Sequence, residues 1–407
     1  MTTPPDSIQA LVDRFDRDRF DMPAGRARIR LAVTKGKAWD LDVRRDAHRL
    51  REANGGEPDA VIRADAATWA RVAGDLQGGM AAYRAGRLSV RRNMHLGVGF
   101  LAVTSGDDSP EALRFETIET RLGRVATMSA GTGTPIVMLH GLGATKIEFL
   151  PTLAAMAPNG WRIVAIDLPG YGDTDKPFPA PYDAAFFSKW VVAALDALGL
   201  DRTHLLGHSM GGRVALEVGL QAPERMDRLV MMTPSMAWIA GRPWAPWLKL
   251  VRPELGIFQP TPKPFVDGIV RRLVPGSDHH LVAPALDEFM RAYLTPRGRV
   301  AFYASARNIY LEDPEPFWQR LEELSPESMF IWGRRDNIVP IGFARHVKRV
   351  LPAATHVELD CGHVPQLECP GQVHGAIGRF LSGQGQPHGA RTRATGGRAA
   401  RRAARSA

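Results

Sequence analysis

No run of eighteen apolar residues occurs anywhere in this 407-residue chain. That removes the usual signature of a membrane-crossing helix. The first stretch, MTTPPDSIQALVDRFDRDRF, carries acids through its amphipathic part and lacks an apolar core, which argues against a secretory leader and for the cytoplasm. Cysteine is scarce. Cys361 and Cys369 are too few for a disulfide framework, and neither has metal-site spacing. There is no phosphate-cradling glycine pattern and no cluster of metal-ligand side chains, so neither a metal nor a cofactor is expected. Acidic residues are outnumbered, and the net charge of +9 invites a nucleic-acid reading. Its distribution undercuts that. The end of the chain, QGQPHGARTRATGGRAARRAARSA, holds six arginines and no acid, leaving an excess of only three elsewhere. Residues 383–407 therefore read as a disordered basic tail, with nucleic acid an unfavoured partner and any membrane contact at most peripheral.

What is present is a 44% hydrophobic content, enough for two cores. Residues 1–104 read as a small α+β unit. DSIQALVDRF is a short helix. RIRLAVT and AWDLDVR alternate like paired strands around Gly36, and a third short strand covers His48–Glu52. PDAVIRAD is a fourth strand whose Asp65 is placed to cap the helix AATWARVAG. A helical piece GGMAAYRAG, a fifth strand RLSVRR and the apolar segment MHLGVGFLAV complete it. The element order and the D-A-x-x-W helix followed by M-A-A-Y-x-A-G-R-L resemble the sterol carrier protein family of lipid-binding domains. The resemblance implies a sheet and helices enclosing an apolar tunnel for a lipid. Residues 105–112, with SGDDSPE, form a linker by composition.

Residues 113–382 have another pattern. Short β-rich apolar runs (PIVMLH, WRIVAIDLPG, THLLGHS, RLVMMTPS, SMFIWGRRD, THVELDCGH) alternate with helices, as in a mostly parallel sheet covered on both faces. RFETIETRLGRVATMSAG adds an antiparallel pair in front. The fold class is thus α/β with a small α+β domain before it. In such sheets ligands bind beyond the carboxyl ends of the strands.

Ser209 lies at such an end, in LLGHSMGG. The pattern G-x-S-x-G sets a serine on a tight strand-to-helix turn, and Gly207 and Gly211 supply the small residues that turn needs. A serine hydroxyl reacts only when a base takes its proton, and the base must be held in one tautomer. His363, in CGHVP, and Asp336, in GRRDNIVP, stand at two further strand ends and meet those needs. The backbone amides of Met210, at the helix start, and Leu142, in HGLG, are the natural donors to charge developing on a substrate oxygen. His140 reads as a residue that holds its own loop together with Gly141 and Gly143. His208 reads as a supporting or packing residue, and Asp167 as a stabiliser of DLPGYGDTD.

The order Ser209, Asp336, His363 and the motifs HGLG, DLPGYGDTDKP, GHSMGG, GRRDNIVP and CGHVPQLECP resemble the α/β-hydrolase superfamily. That resemblance implies an acyl-enzyme on Ser209, released by water that His363 activates. Carbon–carbon bond hydrolases of the superfamily often carry Asn before the serine and Trp after the histidine, where this chain has His208 and Val364. Between about residues 235 and 324 the sheet pattern stops. An insert there, with Trp238, Trp244 and Trp247, reads as a cap that encloses an apolar pocket.

The reading is a serine hydrolase, esterase- or lipase-like, acting on an apolar ester, thioester or lactone (lipid- or sterol-derived among them), with a lipid as the expected ligand of the N-terminal domain. The alternatives are a carbon–carbon bond hydrolase of ring-fission diketones, or a lipid carrier with an inactive hydrolase scaffold.

Overall fold

The structure is a computed structural model, described over residues 3–74, 81–83, 85–236, 247, 250, 252–258 and 282–383. The basic tail from Gln384 onward, Trp238 and Trp244 lie outside the described residues.

The N-terminal unit builds a five-stranded sheet from β1 (Arg26–Val33), β2 (Ala38–Arg44), β3 (His48–Glu52), β4 (Ala60–Ala64) and β5 (Leu88–Arg91), ordered β3-β2-β1-β4-β5. β1 and β4 pair in parallel, and the other neighbours pair antiparallel. Alternation puts Ile29, Leu31, Leu41, Val43 and Ile62 on the buried face. The helix Ala66–Gly74 starts where Asp65 accepts the amide of Thr68 at 2.7 Å.

The segment MHLGVGFLAV forms the helix Met94–Val103, apolar around its circumference and buried from Met94 to Ala102. A helix with no polar face must be covered on all sides. One side lies on the five-stranded sheet, where a Cβ on Gly97 would collide with Val90. On the other, Gly99 lies against the ring of Phe115, the first inward residue of the second sheet. The two units therefore share one continuous apolar core.

The second sheet has eight strands: β6 (Arg114–Thr120), β7 (Gly123–Ala130), β8 (Thr134–Leu139), β9 (Trp161–Ile166), β10 (Thr203–His208), β11 (Met226–Met232), β12 (Glu327–Gly333) and β13 (Thr355–Leu359). Their order is β13-β12-β11-β10-β8-β9-β7-β6. β8 to β13 are parallel, with β6 and β7 an antiparallel edge. Side chains on the two faces of this sheet join two separate cores, so helices and the N-terminal unit cover both. Strand order reverses at β8, opening a crevice between the carboxyl ends of β8 and β10. No helix among the described residues is long and apolar enough to cross a membrane.

The helix Val282–Tyr293, within the insert, is tied to both units by charge. Asp287 accepts from the Arg91 guanidinium at 2.5 and 3.0 Å and from the Arg92 amide at 2.9 Å. Buried Glu288 accepts from the Met94 amide at 2.5 Å. Arg291 reaches Glu288 at 2.9 Å and Asp173 at 2.7 and 3.1 Å. Asp173 also lies 3.4 Å from the Lys146 ammonium and 3.5 Å from His95.

Candidate active site

β10 is buried along its length and ends at Ser209, where the helix Met210–Gln221 begins. Ser209 has φ +51° and ψ −113°, a backbone that L-residues rarely adopt, at a cost of roughly 1–3 kcal/mol. Its neighbours hold it there. Its amide donates to Met232 O and its carbonyl accepts from the Ser235 amide, both at 2.9 Å. A Cβ on Gly207 would stand 2.2 Å from Gly211 O, and one on Gly211 would stand 2.1 Å from Leu139 O. Only glycine allows helix and strands to meet this closely.

His363 and Asp336 follow β13 and β12. His363 Nε2 is 2.9 Å from Ser209 Oγ, and His363 Nδ1 is 2.7 Å from Asp336 Oδ2. The other carboxylate oxygen of Asp336 accepts the amides of Ile338 and Val339 at 2.7 and 2.9 Å. All three side chains are buried. Burial pulls the His363 imidazole below its ordinary 6.5, and the Asp336 carboxylate offsets this only in part. At neutral pH the ring is uncharged, with Nδ1–H on Asp336 and the Nε2 lone pair facing the serine hydroxyl.

The loop after β8 lies against the elbow: a Cβ on Gly141 would stand 3.3 Å from that of Ser209. Gly143 has φ +75°, which favours glycine. His140 is fully buried, accepts the Leu168 amide on Nε2 at 2.9 Å, and its Nδ1 lies 2.8 Å from Gly141 O. Both ring nitrogens are thus engaged within the protein, and burial keeps the ring neutral by lowering its pKa. Asp167 accepts the Lys146 amide and ammonium at 2.7 Å each and the Asp173 amide at 2.9 Å, joining two loops away from the His363–Asp336 pair.

Residues 134–261 match the family model described as alpha/beta hydrolase fold, and residues 11–103 match the SCP-2 sterol transfer family. The chain carries an α/β-hydrolase fold behind an SCP-2-like domain. Among curated relatives, it is 28% identical over 286 residues to the dihydrolipoyllysine-residue acetyltransferase component of the acetoin cleaving system of Cupriavidus necator, covering 68% of this chain and 71% of that one. It is 28% identical over 257 residues to the 2-hydroxy-6-oxo-6-phenylhexa-2,4-dienoate hydrolase of Burkholderia cepacia, covering 60% and 86%. Among solved structures, a hydrolase from Pseudomonas aeruginosa PA01 superposes with a TM-score of 0.56 at 24% identity, covering 66% and 98%. At the carboxyl ends of the second sheet the chain holds a buried Asp336–His363 pair.

Three residues of the site are not singled out by the motifs. Glu148 lies between loops, accepting the Gly141 amide at 3.1 Å and contacting His208 Nδ1 and Gln366. Tyr310 and Ser235 place hydroxyls 3.0 and 3.1 Å from Ser209 Oγ. Ser235 was the most discoverable, because it closes the strand segment next to the elbow. Glu148 and Tyr310 arrive only by folding. Trp247 is 72% exposed.

His208 does more than pack. Its Nε2–H donates to His363 O at 2.8 Å. Burial disfavours its charged form, but the Glu148 carboxylate outweighs this and raises its pKa. A cation there lowers the pKa of the neighbouring His363. Activity is expected to rise with pH through a His363 titration below 6.5. In His208→Asn this acid limb moves to higher pH, a shift read from kcat/KM profiles of the two proteins.

Proposed function

We propose that the chain is a serine hydrolase in which Ser209 attacks the carbonyl carbon of a small apolar substrate. His363 takes the hydroxyl proton, Asp336 holds the ring in the required tautomer, and water activated by His363 releases the acyl-enzyme. The amides of Leu142 and Met210 donate to the oxygen on which charge develops. Met210 opens its helix, so its amide has no acceptor inside the helix. The observation that carries this reading is the continuous line from Ser209 Oγ to His363 to Asp336, at 2.9 and 2.7 Å.

The same machinery serves an ester or an activated carbon–carbon bond. Likeness to the hydrolase of Burkholderia cepacia, together with others acting on 2-hydroxy-6-oxo dienoates, favours the carbon–carbon reaction as the first substrate class to test. This reverses the order in which composition and motifs ranked the two. His208 and Val364 set the chain apart from the pattern of many such enzymes. The SCP-2-like domain is the part we assign to a lipid-like apolar ligand.

The test is a side-by-side assay of 2-hydroxy-6-oxo-6-phenylhexa-2,4-dienoate and short p-nitrophenyl esters. A kcat/KM at least tenfold higher for the dienoate is expected. Ester turnover with no carbon–carbon cleavage would restore the esterase reading. A protein that binds lipid but whose Ser209 resists a fluorophosphonate would be a carrier.

A further inference from the structure

The Ser209 oxygen has more partners than a triad supplies. His363 Nε2 lies at 2.9 Å, Tyr310 OH at 3.0 Å and Ser235 Oγ at 3.1 Å, and Tyr310 also hydrogen-bonds Ser235. A serine hydroxyl has one proton to give and two lone pairs to fill. With its proton on the His363 side, Ser209 Oγ accepts from the Tyr310 hydroxyl on one lone pair and keeps the other for attack, while Ser235 donates behind it to the Tyr310 oxygen, one proton per hydroxyl. Tyr310 sits at the end of the π-helical turn Ala306–Tyr310, in the insert that covers the strand ends. π-turns inside helices recur at functional positions. Ser235 is anchored independently, its amide on the Ser209 carbonyl. Burial raises the phenol's pKa, so Tyr310 remains a neutral donor across the working range.

We propose that Tyr310 is a catalytic residue, its phenol hydroxyl donating, with Ser235 behind it, to the negative charge that forms beside Ser209 Oγ. The inference rests on Ser209 being the nucleophile. In acylation the Ser209 O–H bond breaks and the Oγ–C bond forms. The proton goes to His363 Nε2, and the carbonyl π pair moves onto the substrate oxygen. That oxygen is bonded to the carbon that Oγ has just joined, within reach of a donor already 3.0 Å from Oγ. Tyr310 keeps its proton throughout. It lends a hydrogen bond that strengthens as charge appears, which is the condition for raising kcat rather than only tightening substrate binding.

The experiment compares Tyr310→Phe, Ser235→Ala, the double variant and Ser209→Ala, each checked for an unchanged melting temperature. Tyr310→Phe is expected to lower kcat about 10- to 100-fold, below the 10²–10³-fold typical of a principal donor, with KM changed less than threefold. The rate of Ser209 labelling by a fluorophosphonate falls in parallel, because phosphonylation builds charge on the corresponding oxygen. The acid limb of the pH profile stays in place, since His363 is untouched. Ser235→Ala has a smaller effect, and the double variant is no worse than Tyr310→Phe. A folded Tyr310→Phe protein with kcat and labelling rate within twofold of the parent overturns the proposal while leaving Ser209 as nucleophile. An active Ser209→Ala protein overturns the underlying mechanism instead. If Tyr310→Phe does not fold, an unchanged kcat in Ser235→Ala counts against the hydroxyl pair, and a fall in both kcat and labelling supports it.

Discussion

Ser209→Ala is expected to reduce turnover by about a millionfold while leaving the fold intact, the scale seen when a hydrolase triad loses its nucleophile. The effect is this large because the proposed acylation has no route other than Ser209. His363 Nε2 faces the Ser209 oxygen, and the nearby Ser235 and Tyr310 hydroxyls lie beyond that hydrogen bond, bonded to Ser209 itself. Asp336→Asn should cost about 10⁴-fold, because an amide can donate to Nδ1 and so place the ring proton on the wrong nitrogen. Each is measured by kcat on the preferred substrate with thermal unfolding as control. Turnover near the parent rate in folded Ser209→Ala would remove the serine from the mechanism.

Lys146→Met is expected to give the largest loss of stability, about 3–5 kcal/mol, as when one partner is taken from a buried ion pair. Lys146 is fully buried, 2.7 Å from Asp167 and 3.4 Å from Asp173. Burial pushes both carboxyls up, but the cations around them win and hold them below the ordinary 3.8: Lys146 foremost for Asp167, and Arg291 then Lys146 for Asp173. The sign follows. Carboxylates with depressed folded pKa values contribute stability above the unfolded value, and that stability is lost as pH falls through the folded values. The parent should thus resist acid until below about pH 3.8, whereas Lys146→Met, lacking the compensating cation, should unfold at higher pH. Denaturant midpoints measured from pH 3 to 7 check both statements. Equal acid midpoints in the two proteins would mean the network contributes nothing.

This network also changes what deletion of the N-terminal domain can report. Removing residues 1–104 strips the Arg91, Arg92 and Met94 donors from Asp287 and Glu288, and His95 from beside Asp173. The insert helix and the loop carrying Lys146 lose support together, so activity toward short and long substrates alike is expected to fall. A selective loss on long substrates has to be sought with point substitutions inside the N-terminal core instead.

The sequence alone determined the α/β class with a small α+β unit before it, and it marked the elbow and the three strand-end residues. Their signals are local: glycines that a tight turn requires, β-rich runs of fixed length, and polar residues where those runs stop. The lone exception in kind is the helix Met94–Val103, whose apolarity showed that it was buried but not that it joins two cores. Only tertiary structure decided the rest. Glu148 is 60 residues from His208 and meets it because β8 and β10 are neighbours. Tyr310 is 101 residues from Ser209 and reaches it because the insert folds back over the strand ends. The bridge from Arg91 to Asp287 spans 196 residues. Charges and hydroxyls of this kind leave no periodic trace, because a single polar side chain is compatible with solvent, a cap or a site until the chain closes around it.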